Sequence, residues 1–347
     1  MNKTFFRAAA ALLAVLCVVG CHRRPLYDPS EVVRIAVEVD VDNISNVTCD
    51  IYNPDPALGT KSVTTDMMRV MVYDPDTDKK LTEKFISDKS INEKGHEVIS
   101  GDIEIGSGNF DFLVYNFDTP DTFVKDETDQ NAITTYTNEI PASLKENYVT
   151  KATDFAALKA YYEPDHFFVA QEKDFHIGLR DTLTIIKTKA RTIVDTYYIQ
   201  IPVTGLPAGT RAFGVISGLS PANAFGTKTR STDASGVYFE MIKSTDEHLT
   251  TENKDVLCGI FNTFGKIDSA TSDVRFTVSL TDAQGNVQQK DVNLDVIFKS
   301  EDAIKHHWLL IDDLWEFEEP DPGPGTSGGG FQPEVEDWEE EEGGITL

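Results

Sequence analysis

The sequence predicts a mainly β protein, built as two tandem β-sandwich domains with one or two short helices. Three observations carry this reading. Apolar and polar residues alternate with a period of two in many short runs, the pattern of strands with one buried face. Turn-forming clusters punctuate those runs, among them Asp74-Pro75-Asp76, Gly106-Ser107-Gly108-Asn109 and Gly205-Leu206-Pro207-Ala208-Gly209. The length also suits two domains: 347 residues, or 327 once an export signal of 20 is removed.

That signal opens the chain. Met1–Gly20 has a short basic segment (Lys3, Arg7) followed by an unbroken apolar run from Ala8 to Val19, too short to span a bilayer stably. It closes on Leu16-Cys17-Val18-Val19-Gly20-Cys21, which resembles the lipobox of bacterial lipoproteins. The resemblance implies cleavage between Gly20 and Cys21, a diacylglycerol on the Cys21 sulfur, and attachment to a membrane through that lipid. Each buried CH₂ contributes roughly 0.8 kcal/mol, so two or three acyl chains on one Cys hold a soluble domain in place. No later stretch reaches the eighteen or so apolar residues of a membrane-spanning helix.

Residues 21–30 read as a tether, with Pro25 and Pro29 and no periodic pattern. The N-terminal sandwich is expected over 31–190. Its first strand places Val33, Ile35, Val37, Val39 and Val41 on one face. Met67–Tyr73 and Val98–Ile105 follow. Phe110–Phe117 is apolar on both faces, with Phe110, Phe112 and Val114 opposite Leu113, Tyr115 and Phe117, which marks a central or covered strand. Ala152–Tyr162 reads as a helix, with Thr153 as N-cap, Phe155, Leu158 and Tyr162 at helical spacing, and Pro164 as its stop. His166–Ala170 and Thr182–Lys189 complete this half.

The C-terminal sandwich is expected over 191–317. Ile193, Tyr197, Ile199, Ile201 and Val203 share one face of a long strand, followed by strands at Ala212–Ile216, Val237–Ile242 and Val256–Phe261. Val274–Leu280 and Val287–Ile297 read as a hairpin across 282–286. A short helix at Glu301–His306, capped by Ser300, leads into a final strand at Trp308–Phe317. Residues 318–330 form a Gly/Pro-rich linker. Residues 331–347 are either an acidic tail or a donor strand. Their like charges repel, yet Phe331, Val335, Trp338, Ile345 and Leu347 are large apolar residues to leave in water, and a tail carrying them can add itself as a strand to a neighbouring sheet.

The charge balance, 31 basic against 58 acidic residues for a net of −27, argues against nucleic acid and anionic lipid surfaces. With Cys17 removed and Cys21 acylated, Cys49 and Cys258 remain, and nothing in the sequence brings them together. Catalytic and metal motifs are missing, and neither cofactor nor metal is expected. Asp74-Pro75-Asp76-Thr77-Asp78 begins like a calcium loop, but Lys79 and Phe85 occupy positions that need Gly and Glu, so it reads as a solvated turn. His306-His307 is an adjacent pair whose side chains diverge. The sequons at Asn43 and Asn46 and the short motifs Asp181-Thr182-Leu183 and Asp268-Ser269-Ala270 mark surface positions only.

Several segments in order resemble the fimbrillin superfamily of Bacteroidales lipoproteins, in a poorly characterised lipoprotein branch. They are Cys21-His22-Arg23-Arg24-Pro25-Leu26, Gly108-Asn109-Phe110 leading to Val114-Tyr115-Asn116-Phe117-Asp118-Thr119, Ile216-Ser217-Gly218-Leu219, and Gly328-Gly329-Gly330-Phe331-Gln332-Pro333 with Val335 and Trp338. The resemblance implies transthyretin-like sandwiches and a place in pili or other surface structures. In polymerising members a protease cuts after a basic residue and removes the first strand, and the groove accepts a C-terminal strand from the next subunit. The basic residues available here are Arg23, Arg24, Arg34 and Lys61. Glu339–Glu342 followed by Gly343-Gly344 has low β-propensity, a departure that weakens the donor-strand case.

The expected function is therefore a lipid-anchored pilus anchor, accessory or adhesive subunit, non-enzymatic, on the outer membrane with the cell surface favoured. Its expected partners are other fimbrial subunits by strand exchange and a host or bacterial surface ligand. The alternative is a glycan-binding lipoprotein of an outer-membrane uptake system, which would need an exposed aromatic platform. Trp308 and Trp315 are expected to pack the last core strand instead. His22-Arg23-Arg24 stands where surface export favours an acidic run, which leaves the leaflet open.

Overall fold

The structure is a computed structural model. It describes residues 31–40, 58, 61, 65–146, 159–178, 184–206, 209–245, 247, 249–250, 254–267, 273–283, 285 and 287–316. The signal, Cys21, the tether, the linker and the tail lie outside the described residues, as do Cys49, both sequons and the two short motifs.

In chain order the strands are β1 (Glu31–Asp40), β2 (Met68–Tyr73), β3 (Lys80–Ile86), β4 (Asp88–Ile91), β5 (Glu97–Ile105), β6 (Gly108–Asn116), β7 (Thr122–Lys125) and β8 (Thr134–Thr137). Helix α1 (Ala142–Glu146) precedes β9 (Ala160–Tyr162), β10 (Phe168–Ile177), β11 (Thr184–Thr192), β12 (Asp195–Thr204) and β13 (Arg211–Leu219). Then come β14 (Ala222–Ala224), β15 (Thr229–Arg230), β16 (Ser235–Lys243), β17 (Asp255–Thr263), β18 (Arg275–Thr281) and β19 (Val287–Asn293). A 3₁₀ turn (Ile297–Lys299) and helix α2 (Glu301–His306) lead to β20 (Trp308–Leu310) and β21 (Trp315–Glu316).

The first sheet runs β3-β2-β6-β10-β11-β1-β5-β4. β10 and β11 pair only at Phe168 with Thr192 and Val169 with Arg191, so the sheet folds over there. Both layers fill one core: Val33, Ile35 and Val37 of β1 and Ile99 and Ile103 of β5 meet Val70, Val72, Phe112 and Val114 from β2 and β6. The second sheet runs β19-β18-β13-β16-β17-β12-β20, with β21 also on β12. It turns the same way, since β16 and β17 share only Ile242 with Cys258 and Lys243 with Leu257. Its core gathers Ile199, Ile201 and Val203 against Phe239, Phe276 and Val278. Each half is thus a sandwich made by creasing one sheet.

The sheets change over at Ile193-Val194. A third sheet, β15-β14-β8-β7, joins strands from both halves, and β9 pairs in parallel with β16. A separate apolar cluster does the same: Met71, Tyr73, Leu113, Tyr115 and Phe167 pack with Val194, Phe225 and Phe264. This cluster covers the outer face of β6, which is why that strand is apolar on both sides. The halves are interlocked.

Several expectations are corrected. The helix at Ala152–Tyr162 fails at its C-terminal end, because Ala160–Tyr162 is β9, held by register to Gly236–Tyr238; residues 152–158 lie outside the described residues. Pairing to β16 and packing among Ile140, Val215 and Tyr238 override the helical spacing. Phe117 is 46% exposed and follows β6 instead of extending its face. Ile193 precedes β12 and packs against the bridging cluster. The second strand of the C-terminal hairpin stops at Asn293, and Ile297 begins the 3₁₀ turn. Trp308–Glu316 divides into β20 and β21. The helix α2 forms as read: Ser300 Oγ accepts from the Ala303 N–H at 3.1 Å, and His307, with φ 58°, ends it.

Candidate functional site

The strand that would follow the anchor, β1, lies inside the first sheet. Eight residue pairs join it in parallel to β11 and eight join it antiparallel to β5. Alternation buries Val33, Ile35 and Val37 completely and turns Arg34, Ala36 and Glu38 outward. On that outer face Arg34 makes a two-pronged pair with its register partner Asp102, Nε to Oδ1 at 2.7 Å and Nη2 to Oδ2 at 2.9 Å. The guanidinium holds the Asp102 carboxyl below its ordinary range. Glu38 accepts from Asn92 Nδ2 and meets His96 Nδ1, each at 2.9 Å, with Lys189 at 3.5 Å. The His96 contact, followed by Lys189, lowers its pKa. Core packing on one face and charge pairs on the other hold β1 to both neighbours.

A second polar cluster sits where the two sheets meet. Lys61 Nζ pairs with Glu163 Oε1 at 2.5 Å, and Glu163 Oε2 accepts from the Asn262 N–H at 2.9 Å. Asn262 Nδ2 donates to the Pro164 carbonyl at 2.9 Å, and its Oδ1 accepts from Thr196 Oγ1 at 2.7 Å. Thr196 Oγ1 also lies 3.2 Å from His166 Nε2, while His166 Nδ1 meets Thr192 Oγ1 at 3.3 Å. Since Thr196 gives its proton to Asn262, it accepts from Nε2, and a neutral Nε2–H imidazole satisfies the site. Burial pushes the His166 pKa down to about 4 and pushes that of Glu163 up against the pull of Lys61.

A third cluster surrounds Arg69, a cation within the apolar strand β2. It is buried, pairs with Glu83 Oε2 at 2.6 Å and with Glu127, and Glu127 also accepts from Tyr115 Oη at 2.8 Å. Desolvation raises the Tyr115 and Tyr73 phenols well above their usual range. Outside, the guanidinium lies over Phe117 at 5.0 Å and Phe85 at 5.5 Å, whose ring centroids are 5.2 Å apart. Both rings are more than 40% exposed. Trp308 and Trp315, by contrast, are buried and offer no platform.

The structure therefore places Arg34 inside a paired strand and Lys61 in an ion pair. Arg23, Arg24, Gly20, Cys21, Phe331, Val335, Trp338, Ile345 and Leu347 lie outside the described residues. Asp74 closes a turn, accepting from the N–H groups of Asp76 at 2.8 Å and Thr77 at 3.2 Å. His306 stacks on Trp308, whereas His307 reaches Thr196 O at 3.0 Å, so the two imidazoles diverge. Cys258 is fully buried beside Tyr198, Ile260 and Trp308. No group of three or more potential metal ligands occurs among the described residues. Sequence reading missed the Arg69 cluster, although a lone Arg within Met67–Tyr73 signals buried carboxylates. The polar site at His166 carries no local signal in the sequence, because its partners come from distant strands.

The model of a domain of unknown function, DUF5119, matches residues 58–240, more than half of the chain. The chain belongs to the DUF5119 family. A Bacteroides ovatus protein named as a fimbrium anchoring subunit, Fim4B, is 21% identical, with 95% of this chain and 94% of that protein covered. The crystal structure of a protein described as an adhesin, also from Bacteroides ovatus, superposes with a TM-score of 0.57 at 19% identity, covering 87% of this chain and 98% of the other. The fold is shared with that protein. The fimbrial anchor protein Mfa2 of Porphyromonas gingivalis matches at a TM-score of 0.43 and 13% identity over 80% of this chain and 88% of Mfa2. The DUF5119 match and the Bacteroides ovatus relative agree with the fimbrillin-like resemblance.

Proposed function

We propose that this DUF5119 chain is a non-enzymatic fimbrial subunit of the anchor or accessory kind, held on the outer membrane through lipid on Cys21. In this reading it keeps its first strand and joins the next subunit through its C-terminal segment, where Phe331, Val335, Trp338, Ile345 and Leu347 supply the strand's apolar residues. The observation that carries the proposal is the placement of β1. A strand paired along both edges, with Val33, Ile35 and Val37 in the core, is an integral part of the sandwich. A protease acting after Arg34 would have to separate β1 from β5 and β11, and Lys61 is engaged by Glu163. Similarity over 94% of a relative named as a fimbrium anchoring subunit supports the same role.

Mass spectrometry of the mature N-terminus, on protein from native envelopes, tests this. The expected species is acylated Cys21 on an otherwise uncut chain. A start just after Arg24, Arg34 or Lys61 would refute the retained strand and indicate a processed, polymerising subunit.

A further inference from the structure

A groove of about 1,210 Å³ opens beside the crease of the first sheet. Its walls are β10 and β11, which part after two residue pairs, and the β14–β15 hairpin, which lies across from them. In a chain of net charge −27 its lining is cationic: Lys189, Arg191, Lys228 and Arg230 against Glu172 and Asp195. Such a reversal of local charge in a concave site concentrates anions.

Two of these cations are positioned with care. The Arg230 guanidinium lies flat against Gly265, where a Cβ would come within 2.7 Å of Cζ. It reaches the Lys266 carbonyl at 3.4 Å and stands 3.8 Å from Asp195 Oδ2, so it is oriented more than neutralised. Lys228 occupies the hairpin turn at φ 59°, a left-handed conformation that a glycine would adopt without strain. At the base, Asn223 is only 7% exposed, and its side-chain oxygen has no protein donor. The rest of the hairpin wall is hydroxyl-rich, with Thr229, Ser231 and Thr232.

We propose that this groove binds an acidic polysaccharide, a sugar chain bearing carboxylate or sulfate groups. Cations meet the acidic groups, and the hydroxyls of Thr229, Ser231 and Thr232 meet the sugar hydroxyls. The volume exceeds the roughly 300–1,000 Å³ typical of a small-molecule pocket, which suits more than one sugar unit. Phe225, the aromatic residue of the lining, is fully buried, so the groove has no stacking surface for bases or for sugar rings, and it recognises its ligand through charged and hydroxyl groups instead of the aromatic platform that a stacking glycan binder needs. This inference concerns what the subunit touches, and it stands apart from how the chain is anchored or assembled.

Titration calorimetry on the full mature chain would use polygalacturonate, chondroitin sulfate, neutral dextran and poly-glutamate as probes. Binding to one or both acidic polysaccharides, weakened by salt and absent for dextran, is expected; comparing the two separates carboxylate from sulfate recognition. The double variant Lys228→Glu/Arg230→Glu should weaken it at least roughly tenfold. Lys84→Glu, an exposed charge reversal on β3, should leave affinity within about twofold. Lys228→Gly should raise the melting temperature while lowering affinity, a combination that a structural lysine would not produce. Failure to bind either acidic polysaccharide would overturn the proposal. So would equal affinity for poly-glutamate, or an equal effect of Lys84→Glu.

Discussion

Acidification should loosen this protein through His166. The side chain is 4% exposed, sits between Thr192 and Thr196, and is neutral there because burial lowers its pKa from 6.5 to about 4. Asp165 opposes that shift weakly, and Lys61 adds to it. A depressed histidine pKa means that the unfolded chain binds the proton more readily. The neutral imidazole's contribution is complete above pH 6.5 and is lost as pH falls towards 4. Over that window the loss amounts to roughly 3 kcal/mol. Glu163, whose carboxyl is raised by burial, works in the opposite direction, since its protonation favours the folded state. Comparing wild type with His166→Gln at each pH removes the Glu163 contribution, because both proteins retain it. Urea unfolding between pH 7 and pH 4.5 is the assay. At pH 7 the variant should be about 1 kcal/mol less stable from its altered hydrogen bonds. Its stability should then fall less steeply with acid, by up to about 1.4 kcal/mol per pH unit. Parallel curves for the two proteins would refute the assignment of a buried neutral imidazole.

Two further outcomes follow from the packing. Gly214 of β13 faces the C-terminal core so closely that an added Cβ would lie 2.5 Å from Phe239 Cζ and 2.8 Å from Phe276 Cε2. Gly214→Ala should therefore cost about 1–3 kcal/mol in thermal or urea unfolding, and a neutral result would show that the Phe239 and Phe276 rings yield. We also propose that the segments 31–190 and 191–317, although each builds a sandwich, depend on one another. Expressed alone, 191–317 would lack β9 beside β16 and the Tyr115 and Phe167 rings packed 5.2 Å from Phe225. Its melting temperature should lie well below that of the whole chain, and an equal value would sink the idea.

Alternation placed β1 and β5, because strand periodicity is local and one residue's slip would turn a whole face to water, whereas β2 and β6 were legible as short apolar runs bounded by turn residues. The two-faced pattern of Phe110–Phe117 announced a covered strand, though only the fold shows that Phe225 and Phe264 help to cover it. The Ser300 cap was legible for the same local reason. The short polar strands β3, β4, β7, β8, β14 and β15 were not, since pairing partners and not side-chain pattern hold them in place. Ala160–Tyr162 shows the limit most clearly, because helical spacing there is overruled by a parallel neighbour from residues 236–238.

The candidate sites divide along the same line. The proposed export signal and Cys21 anchor are read from linear motifs, so they are legible in the sequence by itself, together with the acidic charge and the mainly β architecture. Arg34, Lys61, His166 and the cationic groove acquire meaning only through residues that are dozens to more than a hundred positions away. Burial, pairing and pKa depend on those distant neighbours, and only the tertiary structure brings them within a few ångströms.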